Sequence, residues 1–266
     1  METIKLLDGS TWAKDELLKK MDDDSFYYGY LGKAAMSSSS LKQLLTSPKQ
    51  YARSLHFKED SGAFKEGRLV HLMCLEPHRV DGLVHVVDVK SKATKLYKEK
   101  VAEVGSEMFV FTSKEYDRCE RVADAVCQNS LFQDIHRQSE FEVSGFGMVG
   151  GFPFRAKADI LGVDSNGNRF ICDLKTTADL RAFPYSAKKY GYDVQTYLYC
   201  QIFQVHFSNF SFLAVDKSTG DLGYYTVSED FYLSGRAKVA HALKTYKEFF
   251  IDETTPLNEY IITGEL

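Results

Sequence analysis

The sequence predicts an α/β or α+β fold, a central mixed sheet flanked by helices. Three observations carry this. Residues 140–149, 152–163 and 169–176 read as consecutive strands. Two more strands follow near 209–216 and 222–227, joined by a turn at "KSTGD". Helical patterns precede this block, interrupt it over 180–204, and close the chain over 229–250.

The chain has 266 residues, 44% of them hydrophobic and 14% aromatic, enough for a sizeable core. Five prolines and the lack of a Pro-, Gly- or Ser-rich tract leave no linker. We therefore expect one domain over 37–266 with an N-terminal arm over 1–36. No repeat of fixed period is visible. The net charge of −4 and isoelectric point of about 6.0 exclude a wholly basic nucleic-acid coat. They do not exclude an enzyme acting on nucleic acid, because acidic metal ligands offset local basic patches. Five cysteines, none in a CxxC pair, indicate reduced thiols in a cytoplasmic chain rather than a disulfide frame or zinc site. The N-terminus lacks the apolar core of a signal peptide. No stretch approaches the ~20 apolar residues of a membrane span, so no membrane partner is expected.

Taken in order, residues 1–35 are mixed and aromatic-rich near "SFYYGYLG" and read as an arm or small cover. In "MSSSSLKQLLTSPKQYARSL", Ser38 or Ser39 caps a helix bearing Leu41, Leu44 and Leu45. Ser47-Pro48 opens a second helix, with proline suited to a first turn. "GAFKEGRLVHLMCLEP" has helical spacing that puts Phe64, Arg68, His71 and Leu75 on one face. By spacing alone His71 is a packed core residue and Glu76 a helix-end surface acid. A strand at 84–89 and a lysine-rich, solvated helix at 91–104 follow. Thr112 and Glu115 form a capping box that starts an amphipathic helix with Val122 and Val126 on one side.

The hairpin "FPFRAKADILGVDSNGNRFICDLKTT" holds the unusual charges. Arg155, Lys157 and Asp159 alternate with Ala156, Ala158 and Ile160, and Asp173 and Lys175 alternate with Cys172, Leu174 and Thr176. A two-residue turn at Asn166-Gly167 would pair Ile160 with Asp173 and send the two aspartates to opposite faces. The pattern rejects that register. An odd-numbered loop or a β-bulge is required, and either brings Asp159, Asp173 and Lys175 onto one face. Two facing carboxylates repel unless a cation lies between them, and hard oxygen donors favour Mg²⁺ or Mn²⁺. The same spacing also suits a salt-bridge ladder on an exposed sheet face.

Asp159 followed by "DLK" at 173–175 resembles the PD-(D/E)XK nuclease motif, with Ala158 where many members have proline. Gln195 and Tyr199 in "GYDVQTYLYC" resemble the QxxxY motif of RecB-like nucleases. "GRLVHLMCLEP" resembles the GxxxHxxxLEP element of the RecE (exonuclease VIII) branch, and "SSSSLKQLLTSPKQY" its entry helices. The likeness runs from about 37 to 205, and the cysteines lack the spacing that holds an iron–sulfur cluster in some relatives.

The resemblance implies a restriction-endonuclease-like core and a metal-dependent exodeoxyribonuclease of phage or prophage recombination type. It would act 5′ to 3′ on double-stranded DNA ends. It implies that His71, Asp159, Asp173 and the backbone carbonyl near Leu174 hold Mg²⁺ or Mn²⁺, and that Lys175 acts on the attacking water. Gln195 and Tyr199 would orient the site or the DNA end, with Glu142 as a supporting carboxylate or a surface acid. Arg68, Lys157, Lys188 and Lys189 are candidates for phosphate contacts, each also readable as a solvated surface residue. Aromatics of "YSAKKYGYDVQTYLYC" are candidates for base stacking, most of them expected in the core. A ring-shaped homo-oligomer and a single-strand annealing protein are the implied partners. The alternative is a catalytically inactive DNA-binding or assembly module with a nuclease fold. Retention of both acids, the lysine and the histidine argues against it.

Overall fold

The structure, a computed structural model, describes residues 3–56 and 62–263, without the side chains of 62–64. The side chain of Phe64 thus lies outside the described residues. The arm opens with a hairpin of β1 (Thr3–Lys5) and β2 (Thr11–Ala13), then α1 (Lys14–Lys20), a π-helical turn (Ser25–Tyr30) and α2 (Leu31–Ala34). It has a small core of its own, with Ile4, Leu17, Met21 and Leu31 closed by Phe146 from the main sheet.

The entry helices are α3 (Ser38–Thr46) and α4 (Pro48–Ser54). The cap of α3 is Ser37, one residue before the expected Ser38 or Ser39, because Ser40 returns its hydroxyl to the Ser37 backbone and completes a capping box. Helix α5 (Gly62–Leu75) carries His71, and α6 (Val80–Leu83) follows. A lobe then forms from β3 (His85–Val87), α7 (Lys95–Val104) and β4 (Val110–Thr112), with β3 and β4 parallel. Helix α7 starts at Lys95 rather than 91, because Thr94 caps it. Helices α8 (Ser113–Gln128) and α9 (Ser130–His136) lead into the sheet, and α8 starts on the expected Thr112–Glu115 capping box.

The main sheet holds β5 (Ser139–Val149), β6 (Phe152–Val163), β7 (Arg169–Thr177), β8 (Phe210–Asp216) and β9 (Leu222–Thr226), in that spatial order. All neighbours are antiparallel except β7 and β8. A parallel pair needs a crossover, supplied by α10 (Phe183–Lys189) and α11 (Tyr192–Phe203). The single helical region expected over 180–204 is broken because Gly191 adopts φ +64° between them. The long α12 (Glu229–Phe250) closes the fold. Helices α3, α4, α10, α11 and α12 pack on one side of the sheet, and α5, α8 and α9 on the other.

The β6–β7 connection is odd-numbered, as the pattern requires. Val163 pairs with Arg169, leaving 164–168 as a five-residue loop. The Asp164 carboxylate accepts from the backbone N–H of Asn166 and Asn168, and Gly167 takes φ +82°. Ile160 pairs with Cys172, so the next opposed residues are Asp159 and Asp173. In the β5–β6 register the residue opposite Asp159 is Glu142. Three carboxylates therefore line up across three strands.

The expected simple alternation fails at that line. Ile160 and Phe141 pack on the α5–α8 side, whereas Ala158 and Val143, two residues away, pack on the α11–α12 side. Both strands turn over at Glu142 and Asp159, and the paired ladder skips that position. Glu142 sits at φ +50°, a conformation that costs about 1–3 kcal/mol for a residue with a Cβ.

Candidate metal and catalytic centre

Each carboxylate in the row has a different set of partners. Asp159 accepts from the Leu174 backbone N–H at 2.9 Å, and His71 Nδ1 lies 3.5 Å from its Oδ2. Asp173 is fully buried. Lys175 Nζ donates to both of its oxygens, at 2.6 Å to Oδ2, and Gln195 Nε2 donates to them at 2.8 and 3.2 Å. Glu142 joins His71 and Asp159: one ligand atom from each lies within 4.8 Å of the others.

The electrostatics follow from burial and crowding. Burial first, then Asp159 and Glu76, raise the Glu142 carboxyl to about 8. Burial and Asp159 raise Asp173 to about 6, against the opposing pull of Lys175. Burial raises Asp159 as well. Burial, reinforced by Lys175, lowers His71 to about 4, so its ring is a neutral imidazole near pH 7. Burial works against the Lys175 ammonium, but Asp173 and Asp159 outweigh it and hold the amine protonated. Two crowded carboxylates with raised pKa values and a neutral imidazole form a donor set that a divalent cation would relieve. The residues fit such an ion.

The sequence-predicted residues mostly converge. His71, Asp159, Asp173, Lys175 and Gln195 meet at one place. Leu174 contributes its N–H to Asp159, and its carbonyl faces the His71 ring. Tyr199 donates from its hydroxyl to the Lys157 carbonyl at 2.9 Å and so ties α11 to β6. Glu142 lies within the ligand group. Glu76 is bound to Arg79 at 2.8 Å. The Arg68 guanidinium lies 4.7 Å from the Phe109 ring centroid. Lys157 is engaged by Asp24 of the arm at 3.1 Å. Lys188 and Lys189 are exposed on α10. The aromatics near them divide: Tyr199 is buried, whereas Tyr185 and Tyr190 are exposed, because α10 covers the sheet only with Phe183 and Ala187.

Sequence reasoning singled out none of three further neighbours: Lys42 and Asp24 escaped it, and Tyr192 entered only among the aromatics of 185–200. Tyr192 stacks on Phe212, and the ammonium groups of Lys175 and Lys42 each lie 5.2 Å from its ring centroid. A signal existed for Tyr192, since Tyr192, Gln195 and Tyr199 follow i, i+3, i+7 spacing on one helix face. Lys42 had none, being one lysine among many on an amphipathic helix. Asp24 reaches the site only because the arm folds back onto β5 and β6.

The sheet order, the helices on both faces and the acids at the β6–β7 divergence define a PD-(D/E)XK-type architecture. Residues 37–260 match the family described as "PDDEXK-like domain of unknown function (DUF3799)". The chain belongs to that family and so to the PD-(D/E)XK nuclease superfamily. A crystal structure from Eubacterium rectale described as a "Putative exonuclease" has the same fold, with a TM-score of 0.57 at 14% identity, covering 92% of this chain and 95% of that one. The structure of SSO0001, at 14% identity over 87% and 90% of the two chains, has a TM-score of 0.34. No curated protein matches the chain. Among the described residues no helix is long and apolar enough to cross a membrane.

Proposed function

We propose that the protein is a Mg²⁺- or Mn²⁺-dependent exodeoxyribonuclease. It hydrolyses phosphodiester bonds from the ends of linear double-stranded DNA, 5′ to 3′, in phage-type recombination. The observation that supports metal-dependent phosphodiester hydrolysis is the convergence of His71, Glu142 and Asp159 beside the Asp173–Lys175–Gln195 cluster; action from duplex ends, its polarity and the recombination role follow the resemblance to the RecE branch. His71, Glu142 and Asp159 would hold the ion, with Asp173 beside them. The ion supplies Lewis-acid stabilisation of the scissile phosphate and an acidified water.

The chain's own groups do the rest. Gln195 fixes the Asp173 carboxylate in plane, and Asp173 fixes Lys175 Nζ. Lys175, held as an ammonium, orients the attacking water and stabilises negative charge on the phosphoryl oxygens. Lys42 Nζ and Lys175 Nζ each lie 5.2 Å from the Tyr192 ring centroid, and among the described residues no carboxylate is ion-paired with Lys42. It suits a neighbouring backbone phosphate. A ring-shaped homo-oligomer and a single-strand annealing partner fit the same reading.

The test uses linear duplex DNA labelled at either the 5′ or the 3′ end, with Mg²⁺ or Mn²⁺. The wild type should release the 5′ label first. Asp173→Ala and Lys175→Ala should each lose on the order of 10²–10³-fold or more in rate. Absence of metal-dependent cleavage by the wild type, with binding retained, would instead identify an inactive DNA-binding module. Early release of the 3′ label would reverse the polarity.

A further inference from the structure

The arm lies outside the residues that match the family, yet it builds one wall of the candidate site. Its contacts with the sheet are extensive. Met36 pairs with Phe154, Met36 N–H donates to the Pro153 carbonyl, and Ser144 Oγ donates to the Met21 carbonyl. Asp24 then bridges two cations, Arg79 at 2.5 Å and Lys157 at 3.1 Å. The next residues form the π-helical turn Ser25–Tyr30, a geometry that is rare and found mostly at functional positions. It turns two adjacent tyrosines toward β6. Tyr27 is buried, with the Arg155 guanidinium 4.6 Å and Lys157 Nζ 4.9 Å from its ring centroid.

Tyr28 packs edge-on against Tyr27, with centroids 4.9 Å apart, and is 43% exposed. Lys157 Nζ lies 5.4 Å and the Arg155 guanidinium 6.0 Å from its ring centroid, and Glu142, Asp24 and Arg68 are further charged groups around it. Glu142 belongs to the candidate metal group. Tyr28 thus stands at the Glu142 end of the acidic row, and Tyr192 with Lys42 and Lys175 stands at the Asp173 end. The two ends differ in how their cations are engaged. Lys42 is ion-paired with no carboxylate among the described residues and suits a phosphate. At the Tyr28 end Arg79 and Lys157 are tied to Asp24 and Glu76, which leaves an aromatic face rather than a spare cation to meet the nucleotide. An aromatic face on a platform held by two ion pairs loses little freedom when it stacks.

We propose that Tyr28 is a stacking platform for an unpaired nucleobase of the DNA strand entering the site. The arm thereby sets the orientation of the bound nucleotide, base toward Tyr28 and phosphate toward Lys42 and Lys175. This rests on the nuclease reading above.

The test is binding of single-stranded and frayed-end DNA carrying 2-aminopurine at the terminal unpaired position, in EDTA so that no cleavage occurs. Wild type should quench the probe. Tyr28→Ala should weaken binding about ten-fold and lose the quench, with an unchanged melting temperature, whereas Tyr28→Phe should keep both. Tyr224→Ala, an exposed tyrosine on β9, serves as the control. An abasic site at the probed position should make the wild type bind like Tyr28→Ala. With metal present, Tyr28→Ala should raise KM about ten-fold and leave kcat within about two-fold. Equal binding and quenching by wild type and Tyr28→Ala overturns the inference. So does a Tyr28→Phe variant that fails like Tyr28→Ala, which would assign the hydroxyl rather than the ring. Tyr28-dependent quenching by a protein that never cleaves would leave the stacking site standing and remove the enzyme reading.

Discussion

Glu142 is the residue on which the site's energetics turn. It holds a left-handed backbone conformation, faces Asp159 across the strand gap, and has a carboxyl raised from its ordinary 4.5 to about 8 by burial and its acidic neighbours. Between those two values the folded protein retains a proton that the unfolded chain has released. The stability owed to this group therefore falls as pH rises through that window. Metal-free Glu142→Gln should melt higher than the wild type at pH 8 and close to it near pH 5. Mg²⁺ should then raise the melting temperature of the wild type more than that of the variant, because a bound cation stabilises only the folded state. Equal shifts in the two proteins would remove Glu142 from the cation site. His71 has the opposite dependence. Its lowered value means that acid favours the unfolded chain from about pH 6.5 down to about 4, so comparison against Glu142→Gln, which keeps His71, isolates the glutamate.

At the scale of elements, α11 positions the site and α12 positions α11. Gln195 grips Asp173, and Tyr199 grips the Lys157 carbonyl. On the opposite face of α11, the fully buried Asp193 accepts from Ser234 Oγ at 2.7 Å and Lys238 Nζ at 2.6 Å of α12. The helices approach closely at Gly235, where an added Cβ would fall well inside van der Waals contact with the Asp193 carbonyl oxygen. Gly235→Ala should therefore destabilise the fold by about 1–3 kcal/mol or more, measured by denaturant unfolding. It should also lower cleavage, because the displaced helix carries Gln195. An unchanged unfolding midpoint would show that the helices separate without strain. The five-residue loop at 164–168 does for the strands what this crossing does for the helices: it sets the register that opposes Asp159 and Asp173.

At the scale of the whole molecule, a net charge of −4 coexists with a locally cationic end of the site. Lys42 from α3, Lys175 from β7 and the Tyr192 ring from α11 meet there because α3 and α11 pack on the same side of the sheet that contains β7. Burial and the nearby Lys175 push the Lys42 amine down to about 8. Lys42→Met should weaken DNA binding across sequences alike and flatten its salt dependence by about one counterion. A salt slope equal to that of the wild type would place Lys42 outside the phosphate path. The arm bears on the same site from the other end, and its Asp24 neutralises Lys157, which sequence reading offers as a phosphate contact.

By itself the sequence determined the five strands of the main sheet, the capping of α8 and the odd-numbered loop that brings Asp159, Asp173 and Lys175 together. These follow from local rules: hydrophobic period, turn chemistry and the two-residue repeat of a strand. His71 and Gln195 join them only through the family resemblance, since spacing alone makes His71 a core residue. Tertiary structure alone decided that β5 and β6 turn over at Glu142 and Asp159, which draws Glu142 into the ligand group. It alone decided that Lys157 pairs with Asp24, that Arg68 stacks on Phe109, and that Lys42 and Tyr28 stand at opposite ends of the acidic row. These depend on strand twist, helix approach and the docking of the arm. Each is set by contacts between residues far apart in the chain, for which a single sequence carries no periodic signal.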